Sequence, residues 1–461
     1  MKKPFKYTSL LLLGLGLSLG SCQDFVDGLD VNPNAPASAD AQNMLQGVEL
    51  ADGLIHEGEA ARISGMWTAQ FTGSNQQYIS INRYEVTAGN FDNVWSTIYI
   101  DVATQSRIAA ARALEEKNQR LAGIFQILEA HTMGTATSLF GDIPFRQVGD
   151  RLNFPNPTYD PQSQIYSDLQ QQLDAGIVNV NGSGGAPRDL YYQGNPTKWV
   201  EAANTLKARY YLHTKQYDLA RQAALLGISS TSNDMLIPHK ESDGAENFYY
   251  QFNSERVSYL TGYGSYAARL LDPARSGQAN NRNNAKTDES GRFGYFFTPS
   301  FSSTQPDNYE LLPNSGFSDP SEDFPLITYS ETQLILAETY ARAGDLNNAL
   351  TALNNHRGAL AVKYSGFGGR YDDYTLADIP GGGNQANMLR EILTERYVTF
   401  IGQVEPYNDA RRTNNLIGLP NKGTGSTLPQ RFLYSQSEVN TNTSIPRPIP
   451  ELFAKTEVNQ L

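Results

Sequence analysis

The residue with the most specific chemistry in the sequence is its single cysteine, Cys22. It follows Leu-Gly-Ser at 19–21, and small residues before a cysteine are typical of the site where a lipoprotein leader is cut and the sulfur is acylated. Three lysines open the chain, and the apolar run over 9–19 is too short to span a bilayer. The sequence therefore predicts a signal peptide over 1–21, a lipid anchor at Cys22 that carries diacylglycerol and palmitate, and a Pro-broken tether over 22–40.

Enzyme and cofactor motifs are weak throughout. The Gly-x-Ser-x-Gly string at 16–20 lies in the predicted leader, and the Gly-rich run at 262–267 lacks the strand-turn-helix setting of a dinucleotide site. The five histidines have no His-x-x-x-His spacing for zinc, and the adjacent carboxylates at 115–116 and 372–373 point apart. We therefore expect no enzyme activity, no cofactor and no metal.

Composition limits the partners. The chain has 36 basic and 48 acidic residues, a net charge of -12, so it repels phosphate backbones and we expect no nucleic acid as a partner. Its 39% of hydrophobic residues, with 26 Tyr and 20 Phe, are enough to build a core. The sequence thus predicts a folded, exported protein.

Helical periodicity is the main signal of secondary structure. It is strongest over 41–56, 95–113, 121–139 and 199–215. In the second segment, Ile98, Val102 and Ile108 are predicted to share one apolar face, and Pro196 occupies the first position of the fourth helix. A further helix over 388–401 follows an irregular stretch at 365–385. The mature chain is therefore predicted to be mainly α.

An internal repeat refines this prediction. Each pair in the repeat is separated by 129 residues: Ala208, Tyr211, Lys215 and Ala220 match Ala337, Tyr340, Gly344 and Ala349. The small alanines among these residues let two helices pack closely, as in tetratricopeptide repeats. We expect tetratricopeptide-like helix pairs that form a right-handed solenoid scaffold, with long irregular loops and at most short strands. Residues 41–461 would form one domain, with a loop-rich insert at about 228–325.

Four ordered strings resemble the SusD/RagB-like family, in its divergent SusD-like branch. They are Leu-Phe-Gly-Asp-Ile-Pro-Phe at 139–145, Trp-x-x-x-Ala-Asn-x-Leu-x-x-Arg at 199–209, the segment 331–338, and the segment 391–397 that continues to 407–413. The sequence departs from that branch at Glu395-Arg396, Tyr407 and Tyr434-Ser435. The resemblance implies an outer-membrane lipoprotein, facing the cell exterior, that delivers an oligosaccharide or another nutrient to a SusC-like TonB-dependent transporter.

A capture protein of this kind needs flat aromatic faces for sugar rings and amide or guanidinium donors for hydroxyls, carried on loops. The candidate ligand-binding residues are Trp67, Tyr78, Arg83, Tyr84, Asn90, Tyr249, Tyr250, Tyr263, Phe296 and Tyr309. Aromatic residues fill cores more often than they bind ligands, so the group is a better candidate than any one member.

Several alternatives stay open at this stage. A helical-repeat scaffold lipoprotein that binds protein or peptide partners would show the same helix pairs. The acidic net charge disfavours a sulfated or uronic polymer, although arginines at 256, 269 and 275 could reverse that locally. The charged residues Glu395, Arg396, Asp409, Arg411 and Arg412 are predicted to form structural ion pairs near the last helix.

Overall fold

Helices dominate the structure, a computed structural model that describes residues 40–300, 307–425 and 427–460. The residues from Ala41 onward cluster as one compact unit. Cys22, the signal peptide and nearly all of the tether lie outside the described residues. Within the described ranges, no helix combines the length and the apolar character needed to cross a bilayer.

The first half of the chain contains both long and short helices. They are α1 (Ala41–Glu57), α2 (Glu59–Trp67), α3 (Gln77–Asn82), α4 (Asp92–Ser96), a π-helix (Thr97–Thr104), α5 (Gln105–Glu115), α6 (Gln119–Phe140), α7 (Gln162–Val180), α8 (Pro196–His213) and α9 (Tyr217–Ala224). The four helices predicted here are confirmed. The start of α8 shows why, because the Asn195 side chain accepts hydrogen bonds from the backbone of Thr197 and Lys198 while Pro196 takes the first position.

The second half mixes short and long helices. They are α10 (Phe248–Glu255), α11 (Tyr266–Leu271), α12 (Ser290–Phe296), α13 (Tyr329–Arg342), α14 (Leu346–Lys363), α15 (Gln385–Thr399), α16 (Glu405–Arg412), α17 (Gln436–Thr441) and α18 (Glu457–Gln460). The predicted helix over 388–401 is α15. The insert, in contrast to the prediction, contains three short helices, α10 to α12, as well as loops and strands. These three helices are short and are surrounded by residue types common in loops, so the sequence shows no clear helical period. Their capping residues, such as Asn247 and Ser265, are themselves residue types common in loops.

Strands are short and pair two by two. They are β1 (Thr72–Gly73) with β5 (Leu260–Thr261), β2 (Ile143–Pro144) with β3 (Tyr159–Asp160), β4 (Met235–Ile237) with β9 (Phe324–Ile327), β6 (Thr287–Asp288) with β10 (Arg370–Tyr371), and β7 (Phe297–Pro299) with β8 (Tyr309–Leu311). All five pairs are antiparallel. Two of them, β1 with β5 and β6 with β10, tie the insert to segments outside it, so the insert is fastened to the helical scaffold.

Neighbouring helices pack closely where glycines face each other. A Cβ atom at Gly123 on α6 would lie 2.6 Å from the Val180 nitrogen and 2.8 Å from the Gly176 carbonyl oxygen on α7. Such distances leave no room for a side chain. The two helices therefore pack backbone against backbone.

The π-helix changes the register of the second helical segment. Ile98 and Val102 are buried as predicted, whereas Ile108 is 48% exposed. A π-helix has more residues per turn than an α-helix, so the buried face is carried on by Ser106 and Ala109 instead. The prediction for Ile108 was wrong because it assumed a regular α-helical period.

The two copies of the repeat pack against each other in a second hydrophobic cluster. We call this cluster the repeat core; it includes Ala208, Leu212, Ala220, Leu334, Ala337, Ala341, Ala349 and Leu353. The turns between the paired helices also match, since Lys215 has φ 60 and Gly344 has φ 81. The tetratricopeptide-like helix pairs predicted from the spacing are thus confirmed.

Buried ion pairs join the last long helices, as predicted. The Arg396 guanidinium lies 2.7 Å from Asp409, and Arg412 lies 2.6 Å from Glu338. Burial raises the pKa of Glu338, but Arg412, Arg342 and Arg396 together lower it further, so that pKa falls to about 2. Arg411 differs from the prediction, since it donates to the Ser138 carbonyl at 2.8 Å rather than to a carboxylate.

Candidate ligand-binding site

The predicted ligand residues before α4 are mostly buried. Trp67 is fully buried and its indole donates to the Ile81 carbonyl at 2.9 Å. Tyr78, 3% exposed, accepts a hydrogen bond from Arg62 at 3.0 Å, and Tyr84 is 6% exposed. Because the polar atoms of Trp67 and Tyr78 bond within the protein, their rings belong to the core. This corrects the assignment of these three aromatic residues to a ligand surface.

Three aromatic residues of the predicted insert group are buried as well. Tyr249 and Tyr309 have no exposed surface, and Phe296 is 4% exposed. The Tyr249 hydroxyl donates to the Gly402 carbonyl at 2.8 Å, and the Phe296 ring packs 5.0 Å from that of Phe317. These residues hold the insert together, so they too are removed from the ligand candidates.

Four of the predicted residues remain accessible. Arg83 and Tyr263 are exposed, whereas Asn90 and Tyr250 are half-buried. The Asn90 side chain is used locally, because its carbonyl oxygen accepts a hydrogen bond from the Thr87 backbone. The structure therefore does not gather the predicted set into one site.

A pocket with suitable chemistry lies where the insert meets α15. Its volume is about 190 Å³, and we call it the asparagine pocket. It is lined by Tyr266, Asn280, Asn281, Arg282, Asn284, Tyr374, Pro380, Asn387, Arg390, Glu391, Thr394 and Ile417. Tyr266 is only three residues beyond the predicted Tyr263.

One face of α15 forms a wall of the asparagine pocket. Asn387, Arg390, Glu391 and Thr394 recur at steps of three, one and three residues, a spacing that brings side chains to one side of a helix. The helix begins at Gln385, where the Asn384 side chain accepts a hydrogen bond from the backbone of Asn387. The cap thus fixes the end of the helix that carries Asn387.

The asparagine run at 280–284 forms the opposite wall. The Asn281 amide donates to the carbonyl oxygens of Arg269 and Asp272, each at 2.9 Å, and the Asn284 amide donates to the Tyr374 hydroxyl at 3.0 Å. These bonds hold a segment without regular secondary structure in one conformation. The wall is therefore preformed rather than assembled by a ligand.

A buried charge cluster fixes the floor. Arg282 donates to Glu289 at 3.2 Å and to Glu391 at 3.0 Å, and it also bonds Glu395, which is shared with Arg292. Burial tends to raise the pKa of Glu395, but the charges of Arg282 and Arg292 lower it well below its usual value. The cluster joins the insert to α15 through charges that stay ionised.

Tyr266 supplies the flat face of the pocket. It is the first residue of α11, which begins after Ser265, whose hydroxyl accepts a hydrogen bond from Ala268. The Arg269 guanidinium lies 5.6 Å from the centre of the Tyr266 ring. Burial raises the pKa of Tyr266, and the positive charges of Arg269 and Arg390 oppose that rise. An aromatic face beside amide and guanidinium donors suits a ring that carries hydroxyl groups.

Two other depressions have different chemistry. A groove along α1 is lined by apolar side chains such as Met44, Leu50 and Leu54, and a cleft near β9 is lined by acidic residues that include Asp234 and Glu322. Neither combines a tyrosine ring with several amides and a guanidinium. The asparagine pocket is thus the best candidate site in the described part of the chain.

One cluster has the residue types of a metal site. Potential ligand atoms of Asp52, His56 and His131 lie within 4.8 Å of one another. Asp52 and His56 are one turn apart on α1, whereas His131 comes from α6. The two imidazole rings are stacked with centres 3.7 Å apart and planes within 1° of parallel. A metal ion lies in the plane of each ring that binds it, so two stacked rings cannot share one. Burial also lowers the pKa of His56 to about 3, which suits a neutral, packed pair.

Reasoning from sequence missed the residues of the asparagine pocket. The aromatic residues chosen from the sequence included Tyr263 but not Tyr266, because nothing in the sequence distinguishes these two tyrosines. The run of four asparagines around Arg282 and the polar face of α15 were the available signals. Neither signal shows that the two segments meet, because they are about a hundred residues apart.

Together, the paired helices and the pocket between insert and scaffold define a helical-repeat binding protein. The sequence matches the SusD-like family model described as "Starch-binding associating with outer membrane" over residues 33–435. The chain belongs to this family, whose members are binding proteins associated with the outer membrane rather than enzymes.

Solved structures support the same fold. A SusD/RagB family protein from Bacteroides thetaiotaomicron is 20% identical, with a TM-score of 0.67 over 88% of this chain and 95% of its own. A chitin-binding protein is 18% identical (TM-score 0.68; 91% and 100%), and a SusD homologue from Bacteroides fragilis is 16% identical (0.65; 92% and 99%). At these identities the likeness concerns the fold. Among curated proteins, no match was found.

Proposed function

We propose that this protein is a cell-surface lipoprotein that binds an oligosaccharide and delivers it to a SusC-like TonB-dependent transporter. The observation that carries the proposal is the asparagine pocket, where the Tyr266 ring, the Asn280 amide and the Arg390 guanidinium line one preformed pocket. The family description names starch binding, and one similar structure is a chitin-binding protein. Cys22 would anchor the chain in the outer membrane, 22–40 would be the tether, and 41–461 the binding domain.

Replacing Tyr266 by alanine tests the site. Loss of the ring face should weaken oligosaccharide binding by about tenfold or more, since burying an aromatic ring against a ligand contributes on the order of 1–2 kcal/mol. Binding would be measured by calorimetry against a panel of neutral and acidic oligosaccharides. Tyr329→Ala is a matched control, because Tyr329 is the first residue of α13 and does not line the pocket. Equal affinity in the two variants would contradict the assignment of the pocket.

The transporter and the anchor need separate experiments. Purification of the tagged protein from detergent-solubilised outer membrane should recover a TonB-dependent porin, and recovery without one would contradict the partnership.

Labelling with a palmitate analogue should mark the native protein but not Cys22→Ala. Protease treatment of intact cells should cut the protein only if it faces the exterior.

A further inference from the structure

The lining of the asparagine pocket departs in charge from the rest of the chain. The protein has a net charge of -12, yet the charged residues that line this pocket are two arginines, Arg282 and Arg390, and one glutamate, Glu391. Glu391 lies 3.0 Å from Arg282, which also pairs with Glu289 and Glu395, so Arg282 and Glu391 both belong to the buried charge cluster. The charged lining residue outside that cluster is Arg390.

Arg390 is also the charged group that is available to a ligand. It is exposed on α15, and its guanidinium has no hydrogen-bond or ion-pair partner among the described residues. Arg282, by contrast, is buried and fully occupied by three glutamates. A guanidinium presents parallel N–H donors that fit a carboxylate in a bidentate geometry. Arg390 can thus pair with an anionic group without giving up an existing bond.

A second guanidinium lies at the rim. Arg269 stands over the Tyr266 ring, and its Nε atom is buried without a hydrogen-bond partner. Its carboxylate neighbour, Asp307, is 4.0 Å away. Tyr266 therefore offers its ring between two positive charges, and a sugar that stacked on it would carry a substituent into reach of Arg390.

We infer that the asparagine pocket selects acidic sugars, namely oligosaccharides with uronic acid residues, whose carboxylate pairs with Arg390 while the sugar ring stacks on Tyr266. The inference rests on the proposed function and names its substrate class. Asn280, whose side-chain amide forms no hydrogen bond among the described residues, would then contact hydroxyl groups, which acidic and neutral sugars share, and Arg390 would distinguish between the two.

Esterification gives a matched pair of ligands for the test. Calorimetry would compare oligogalacturonate and oligoglucuronate with their methyl esters, which keep the sugar and lose the charge. We expect the acids to bind wild-type protein at least about tenfold more tightly than the esters, and added salt to reduce that difference. Arg390→Gln should remove the preference, so that acid and ester bind this variant with equal affinity, whereas Arg390→Lys should keep part of the preference because it retains charge without the bidentate geometry.

The controls separate the inference from the proposed function. Arg151→Gln removes an exposed arginine that does not line the pocket and should leave every affinity unchanged. Thermal unfolding would check that all variants fold. Esters or neutral oligosaccharides that bind as tightly as the acids, with a loss in Tyr266→Ala, would overturn the acidic preference and leave the proposed function standing. Absence of binding by any oligosaccharide of the panel would overturn both.

Discussion

Glu49 shows how a single buried carboxylate affects the whole protein. Both of its carboxylate oxygens accept from the Leu190 backbone, at 3.2 and 3.0 Å, and the residue has no exposed surface. Burial, together with the charge of Asp189, raises the pKa of Glu49 from 4.5 to about 9. A folded-state pKa above the unfolded value stabilises the fold at low pH, and this contribution is lost as the pH rises from about 4.5 towards about 9.

Glu49→Gln should therefore stabilise the protein increasingly as the pH rises. The glutamine can still accept from Leu190 but has no charge to bury, so we expect its free energy of unfolding to exceed that of wild type by on the order of 5 kcal/mol near pH 8.5. Near pH 4.5 the difference should vanish. Chemical denaturation across this range would measure it. Glu115→Gln removes an exposed charge and is the control. If the difference in free energy of unfolding between Glu49→Gln and wild type did not change with pH, the raised pKa of Glu49 would be refuted.

Residue type alone did not identify which aromatic side chains are accessible. Tyr249 and Tyr266 belong to the same insert and both begin or nearly begin a short helix, yet the first is buried against Phe317 and the second lines a pocket. Burial depends on which segments meet, and a sequence without periodicity does not encode that locally. Roles that depend on local charge, such as the pairing of Arg396 with Asp409, could be predicted.

Among the elements, the turns of the repeat show where backbone conformation limits the sequence. Lys215 and Gly344 end equivalent helices with positive φ, a region that glycine enters without strain and other residues do not. In the second copy, a Cβ atom at Gly344 would meet nothing within 4 Å. A side chain there would therefore act through backbone strain alone.

Gly344→Ala should lower the free energy of unfolding by about 1 kcal/mol, since alanine is strained at this φ. Gly358→Ala is the matched control. Gly358 lies inside α14, is exposed and also has open space around its Cβ position, so alanine there should stabilise the helix by about 0.5 to 1 kcal/mol. Both variants would be measured by urea denaturation. A lower free energy of unfolding for Gly344→Ala and a higher one for Gly358→Ala would confirm that φ determines the effect of alanine on stability, whereas destabilisation by both substitutions would contradict it.

Elements with local signals were predicted well. The Asn195 cap and Pro196 mark the start of α8, and the glycine before α14 marks the turn of the second repeat. The π-helix could not be predicted, because its sequence, with Ile98 and Val102, fits an α-helix equally well and its extra residue is accommodated by packing against α1 and α6. The short helices of the insert were missed for a similar reason, since packing rather than periodicity stabilises them.

At the scale of the whole molecule, the charge cluster under the asparagine pocket joins insert and scaffold. Glu395 on α15 receives hydrogen bonds from Arg282 and Arg292 of the insert, and the imidazole of His356 on α14 lies 3.1 Å away. All four side chains are nearly or fully buried. The pocket and the attachment of the insert therefore depend on the same carboxylate.

Glu395→Ala should destabilise the protein by about 3 kcal/mol, because it removes the carboxylate that two buried arginines share and leaves the N–H groups that bound it without an acceptor. Hydrogen exchange should increase together in α12 and α15, which face each other across the cluster. Glu255→Ala is the control, since Glu255 belongs to the same insert and is exposed. Faster exchange confined to α15 would show that the cluster does not couple the two parts.

The repeat core also has a consequence for the order in which the chain folds. Its halves, α8 with α9 and α13 with α14, are separated by the whole insert, whereas α6 and α7 follow each other directly. Contacts between distant segments form more slowly than contacts between neighbours. In a nascent chain that has not yet reached α13, the apolar surface around Ala208 and Leu212 is therefore exposed. We expect chaperones to bind this apolar surface until α13 and α14 have been synthesised and cover it.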